Sequence, residues 1–493
     1  MKIDKIKEWI KDKHNLIFLA VLFLGIIIRL YYLIITKNQP LWWDEAEYLL
    51  MAKYFATGDL FMNLFASRPL LLPLFFAFLM KINLGYEIIY RIIEVIISSI
   101  GLLFVYLTAK ELFNKETGII STLFLSVFYL HIFYTSRILL DSIAPTFWVL
   151  SVYFFTKGYI KKKENKSFYL SAFFGALGVF LYNQTIALFI IYLVFLLITE
   201  KLNLFKEKRF YIFGLIAFIT FLPTFILNKI LYNNTIEFIK KGISTGDVLT
   251  ANYPENILTF IKYLPAYLDA LLLIIFIFSV IIVFYKLIIG IDLVIKTPDQ
   301  ETKKLLFLFL WLVLSFLIII KIVGHFEDRY IMPTFIPLFI ITALGIYKLK
   351  EYLIKITDKR IVFAIIIILL LLISFTQIKK ADNAINGKKD SFLQLKQASL
   401  WIKENSNPGD RLLTSSSPMT LYYSERKIVN LPEKEEELMS LIKKEKPKFL
   451  VLSAFTGNPN YINNLQKYQI FKPVQVYKSG EATLLIIFEI KYE

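Results

Sequence analysis

This sequence predicts a multi-spanning α-helical membrane protein of roughly 11 transmembrane helices with a C-terminal extracytoplasmic α/β domain. Three observations carry that expectation. First, 57% of the 493 residues are hydrophobic, with 46 Phe and 29 Tyr, and the mean hydropathy is +0.60. That is too apolar for a soluble globular protein. Second, several windows exceed the roughly 18 apolar residues that cross a bilayer. Third, the lysines behind the net charge of +17 cluster between those windows, where they read as topology signals. The charge is therefore not a nucleic-acid footprint, and no nucleic-acid partner is expected. With no cysteine there is no disulfide and no thiolate metal site.

The first apolar segment, Asn15–Ile35, is too long for a signal-peptide core and lacks a small-residue cleavage site, so it reads as a retained anchor. Lys2, Lys5, Lys7, Lys11 and Lys13 precede it and place the N-terminus in the cytoplasm. Asp44 then lies outside. The next apolar stretch, Pro69–Ile82, has about 14 residues and favours an interfacial or re-entrant helix over a span. Parity agrees. If it does not cross, the loop at Lys110 and Lys115 and the loop at Lys157–Lys166 are both cytoplasmic. Spans are expected at 88–107, 118–134, 142–155, 168–182, 186–198, 210–231, 264–287, 305–323, 331–347 and 361–378. The domain boundary follows: 1–378 in the membrane, 379–493 outside. In the tail, helices are expected at 391–404 and 433–444, and strands at 411–414, 427–431, 449–454 and 483–489. No phosphate-binding glycine loop or nucleophile elbow appears there.

Parity collects the unusual polar residues on the outer face: Asp44, Glu45, Glu47, Arg68, Arg91, Glu94, Arg137, Asp141, Lys321, His325, Glu327 and Arg329. The densest motif is Trp42-Trp43-Asp44-Glu45-Ala46-Glu47-Tyr48. Acids this close to a bilayer are costly unless they act, and aromatics beside them suit the headgroup zone. A carboxylate can serve as general base on an acceptor hydroxyl, and Arg can grip phosphate oxygens through its planar fork. Such a face suits a reaction on an anionic, membrane-anchored substrate. Each residue also has a plainer reading. Asp44 or Glu45 would serve as a helix cap, Arg68 would anchor at headgroups, and Arg91 and Glu94 would pair on one helix turn. Three histidines without metal-ligand spacing make no metal site. A transporter or flippase is the competing class. It is disfavoured because no paired halves with broken mid-membrane helices are visible.

Taken together, these motifs resemble the GT-C fold glycosyltransferases that use polyprenyl-phosphate sugars, in the protein O-mannosyltransferase and aminoarabinose transferase branch. The resemblance rests on Asp44-Glu45 after the first helix, Arg68-Pro69-Leu70 before a short apolar helix, Arg91, and Leu112-Phe113. It continues through Tyr134-Thr135-Ser136-Arg137 leading to Asp141, and Glu327-Asp328-Arg329-Tyr330-Ile331-Met332-Pro333. In the tail, Trp401-Ile402-Lys403-Glu404-Asn405, Pro408-Gly409-Asp410 and Leu421-Tyr422-Tyr423 resemble the extracytoplasmic domains of prokaryotic members. The resemblance implies a plasma-membrane glycosyltransferase moving a sugar from a polyprenyl or dolichyl monophosphate to a hydroxyl of a protein, lipid or glycan acceptor, with inversion. It implies Asp44, with Glu45, as the catalytic carboxylates. Arg68, Arg329 and Arg91 would hold the donor phosphate, and Asp141, Arg137, Glu47, His325 and Glu327 would contact substrate. No obligatory cofactor is implied, and no divalent metal is indicated. Two departures stand out. Ser67 replaces the acid found in the aminoarabinose branch, and no second Trp-Trp-Asp-Tyr-Gly motif marks an oligosaccharyltransferase.

Overall fold

A computed structural model describes residues 8–58, 68–161, 164–241, 257–289, 299–323 and 327–492. They form two compact units. One gathers the described residues of Met1–Lys37 and Met62–Ile385; the other gathers those of Asn38–Phe61 and Asn386–Glu493. The helix carrying Asp44 therefore folds with the tail. The helix expected to end at Ile378 runs on as Lys359–Lys388.

All eleven expected segments are helical in the first unit. Eight helices among the described residues are long and apolar enough to cross a membrane, or nine if the bent pair Lys115–Val127 and Tyr129–Thr135 is one span. The other two, Leu140–Phe155 and Asn165–Leu181, have 16 and 17 residues. A π-helical turn, Thr156–Lys161, prolongs the former. Leu71–Lys81 has 11 residues, about 16 Å at 1.5 Å per residue, half the thickness of a bilayer's hydrocarbon core. It is too short to cross.

Close helix crossings use small residues, as membrane bundles do. A Cβ on Gly345 would lie 2.7 Å from Ser279 Cα, so only glycine lets Met332–Leu353 approach Ile257–Ile289 this closely. Aromatic stacking fills the interior, with Phe155 against Tyr192 at 4.1 Å.

Among the described residues two helices are broken, and each break is closed by side chains. The first is the 59° bend between Val127 and Tyr129. Arg29, 1% exposed inside the first apolar helix, donates to the carbonyls of Leu125 (3.3 Å), Ser126 (3.3 Å) and its own Gly25 (2.9 Å). The carbonyls of Leu125 and Ser126 are ones a helix end leaves without an intrahelical partner. Its Nη2 also lies 2.9 Å from His131 Nδ1. A guanidinium only donates, so that ring nitrogen accepts. The second break is at Asp269, whose φ of 61° and ψ of 160° interrupt Ile257–Ile289. Gln377 joins the two breaks. Its amide oxygen accepts from Tyr129 N–H (3.2 Å), and its amide nitrogen donates to Tyr267 O (3.1 Å) and Asp269 Oδ2 (2.8 Å). Lys380 ion-pairs with Asp269 and donates to Ala266 O at 2.7 Å.

A polar seam ties three helices at one end of this unit. Asp12 caps Lys13–Thr36 through the His14 N–H at 2.9 Å and ion-pairs with Lys115. Glu116 next to it pairs with Lys350. Lys115, chiefly by its hydrogen bond, holds the Asp12 carboxyl down to about 2. A folded-state value below the unfolded one gives stability that is present above about pH 4 and lost as pH falls toward 2. In detergent, the melting midpoint of the wild type should exceed that of Asp12→Asn near neutrality. The gap should close on acidification; a gap independent of pH would refute the pairing.

The second unit is a five-stranded sheet in the order β2-β1-β3-β5-β4. Its strands are β1 (Arg411–Thr414), β2 (Lys427–Val429), β3 (Phe449–Ser453), β4 (Phe471–Ser479) and β5 (Ala482–Ile490). β1 runs parallel to β2 and β3; β5 is antiparallel to β3 and β4. Leu413, Leu438, Ile442, Leu450 and Leu465 form its core with Glu435–Glu445 packed on the sheet.

Candidate functional site

In the membrane unit the candidate residues converge at the Ser136–Ser142 turn and the Glu327–Ile331 segment. Asp141, 4% exposed, lies in the first turn of Leu140–Phe155. Its Oδ2 is 3.7 Å from Arg329 Nη1, and its Oδ1 accepts from Tyr182 O–H at 3.4 Å. Arg329 Nε also donates to Glu327, and its guanidinium lies 5.2 Å from the Tyr330 ring centre. Tyr134 O–H donates to Asp328 Oδ1 at 3.0 Å, joining the bent helix to the same segment. One cation thus sits between Asp141 and Glu327.

Arg91 and Glu94 support this turn. Both are fully buried on Glu87–Leu112. Arg91 Nη1 donates to Ser136 O at 2.7 Å, and Glu94 Oε2 accepts from Ser142 Oγ at 2.9 Å. They brace the turn at its two ends. Arg137, 2% exposed, lies 5.5 Å from the Phe133 ring centre. Arg68 is half-buried just ahead of Leu71–Lys81. His325 lies outside the described residues. Among those described, no group of three or more His, Asp or Glu is arranged to hold a metal.

Beside Ile331, two residues from Arg329, a cavity of about 310 Å³ is lined entirely by apolar atoms. Leu264, Phe276, Leu312, Phe316 and Phe335 contribute to its walls.

In the second unit, the acidic motif opens the helix Trp43–Thr57. The N-cap falls on Trp42, not on Asp44 or Glu45. Glu45, fully buried, returns its Oε2 to the Trp42 N–H at 2.7 Å, closing the first turn. This is the bond an N3 glutamate makes in a capping box. Glu47 accepts from Trp43 Nε1 at 3.0 Å. Asp44, between these two acids, is half-buried.

Sequence reading missed Arg29, His131 and Gln377 as organising residues. An arginine inside an apolar 24-residue helix was the available signal for the first. The partners of Gln377 lie 248 and 110 residues away, so no local pattern announces it.

With this geometry in place, comparison with solved structures is informative. The structure of ArnT from Cupriavidus metallidurans bound to undecaprenyl phosphate superposes with a TM-score of 0.63 at 12% identity, covering 96% of this chain and 97% of that one. The Archaeoglobus fulgidus oligosaccharyltransferase tethered to an acceptor peptide gives 0.64 at 12% identity, covering 96% and 74%. The Archaeoglobus fulgidus oligosaccharyltransferase AglB with an inhibitory peptide and a dolichol-phosphate gives 0.59 at 12%, covering 96% and 74%. The shared architecture is the GT-C fold. More narrowly, residues 67–227 match the model of the dolichyl-phosphate-mannose-protein mannosyltransferase family. No curated protein matches the chain in sequence.

Proposed function

We propose that this protein transfers a sugar from a polyprenyl monophosphate to an acceptor hydroxyl on the extracytoplasmic side of the plasma membrane, with inversion. Asp44 takes the proton as the acceptor oxygen attacks the anomeric carbon. The bond from that carbon to the phosphate oxygen breaks, and the electron pair leaves with polyprenyl phosphate. Arg329 and Arg68 hold the phosphate as its charge grows; Asp141, Arg137, Glu327, His325 and Glu47 contribute to substrate binding. Glu45 and Arg91 support the fold of these segments. The single observation behind the donor assignment is Arg329 two residues before Ile331, which lines an apolar cavity. A polyprenyl phosphate needs a cation for its head and apolar walls for the isoprene units next to it. The family match over residues 67–227 favours mannose as the sugar. The orientation rests on the basic loops, which only one topology leaves on the cytoplasmic side.

The test is to incubate purified protein with dolichyl phosphate mannose, undecaprenyl phosphate aminoarabinose and related polyprenyl-phosphate sugars, following free polyprenyl phosphate by mass spectrometry. Release with at least one donor is expected. A protein that binds these lipids and releases none is not a transferase.

A further inference from the structure

The base-bearing helix is gripped by the tail at both ends. The chain entering it passes through Leu41, which is fully buried, and the Leu41 N–H donates to Tyr423 Oη at 2.9 Å. Lys396 reaches from Leu393–Glu404 to the carbonyl of Asn38 (3.4 Å) and lies 5.1 Å from the Tyr423 ring centre. Further along, Lys53 meets Glu425 at 3.4 Å, and Glu425 is held in turn by Lys403 at 2.9 Å. Tyr423 itself is 6% exposed and sits near the end of Ser417–Ser424. Trp43–Thr57 has only 15 residues, a length at which an isolated helix is marginal in water.

We infer that Tyr423 is a positioning residue for Asp44: through the Leu41 N–H it fixes where the first turn of the helix begins, and so where the carboxylate stands. The inference rests on Asp44 being the general base. Its physical basis is that a base must be held within about 0.5 Å of its productive place, and that a misplacement of about 1 Å costs up to 100-fold in rate. Through Tyr423 the tail then acts as part of the catalytic apparatus.

Tyr423→Phe is the decisive variant. It keeps the ring and deletes the oxygen, leaving the Leu41 N–H without this acceptor. In the full-length protein, with the donor that the wild type turns over, kcat should fall by about 10- to 100-fold. KM for the donor and the melting midpoint should stay put, and amide exchange should quicken at Leu41 and Trp42. An unchanged kcat overturns the inference, as does a parallel loss of kcat, donor KM and melting midpoint, which would mark general loosening. Asp44→Asn, measured alongside, separates the two levels. An inactive Asp44→Asn with a fully active Tyr423→Phe removes only the positioning role. Wild-type turnover in Asp44→Asn removes the base itself.

Discussion

Asp44→Asn should reduce turnover by about 100- to 10,000-fold, the contribution typical of a general base, while the protein remains folded. The expectation of intact folding comes from the local geometry. The N-cap is Trp42, and Glu45 closes the first turn, so an amide at position 44 removes no cap. The neighbouring acid should behave differently. Glu45→Gln keeps an oxygen for the Trp42 N–H and should retain most activity. Glu45→Ala strands a buried donor, which costs about 1–3 kcal/mol and should lower the melting midpoint. Free polyprenyl phosphate released per minute reads the first effect, and a thermal melt reads the second. An Asp44→Asn protein as fast as wild type would transfer the role to another carboxylate.

Arg329→Ala should weaken the donor's apparent affinity most of all single changes. Losing a charge-assisted hydrogen bond costs about 1.5–3 kcal/mol, roughly 10- to 150-fold in KM at 1.4 kcal/mol per decade. A further effect acts in the same direction. Asp141 and Glu327 lose the cation that stands between them, and their charge then repels the phosphate. Arg329→Lys should recover only part of the affinity, because the ammonium lacks the planar fork. Substrate titration at fixed enzyme distinguishes the outcomes: a KM equal to wild type in Arg329→Ala would place the phosphate elsewhere.

Much of the architecture was legible because hydropathy and loop charge report directly on insertion into lipid. All eleven apolar segments are helices, and the short one at Leu71–Lys81 has the non-spanning length expected of it. The tail was read less completely. β4 was overlooked because Lys472, Gln475 and Lys478 make this edge strand look like loop; its register comes from pairing with β5, not from an apolar alternation of its own. The association of Trp43–Thr57 with the tail was invisible too. It depends on contacts between residues more than 350 positions apart, such as Leu41 with Tyr423. At the candidate site, residue types suggested Arg329 and Asp141 together, and the fold brings them within 3.7 Å. Arg91 looked identical in kind, and in the fold it is fully buried and donates to Ser136 O. Charge type is written in the sequence, but the direction in which a charge faces is a tertiary property.

Gln377 has a mechanical consequence. Of the uncharged side chains, the amides of Asn and Gln alone combine a carbonyl acceptor with two N–H donors, and this one serves a free N–H at one helix break and a free carbonyl at the other. Glu offers only acceptance when ionised and Leu offers neither. A slide of Lys359–Lys388 by one turn, about 5.4 Å, would take both backbone groups away from this partner. The amide is therefore an indexing pin: it sets the axial register of this helix against two neighbours at once, and it permits rotation or translation only if both breaks unlatch together.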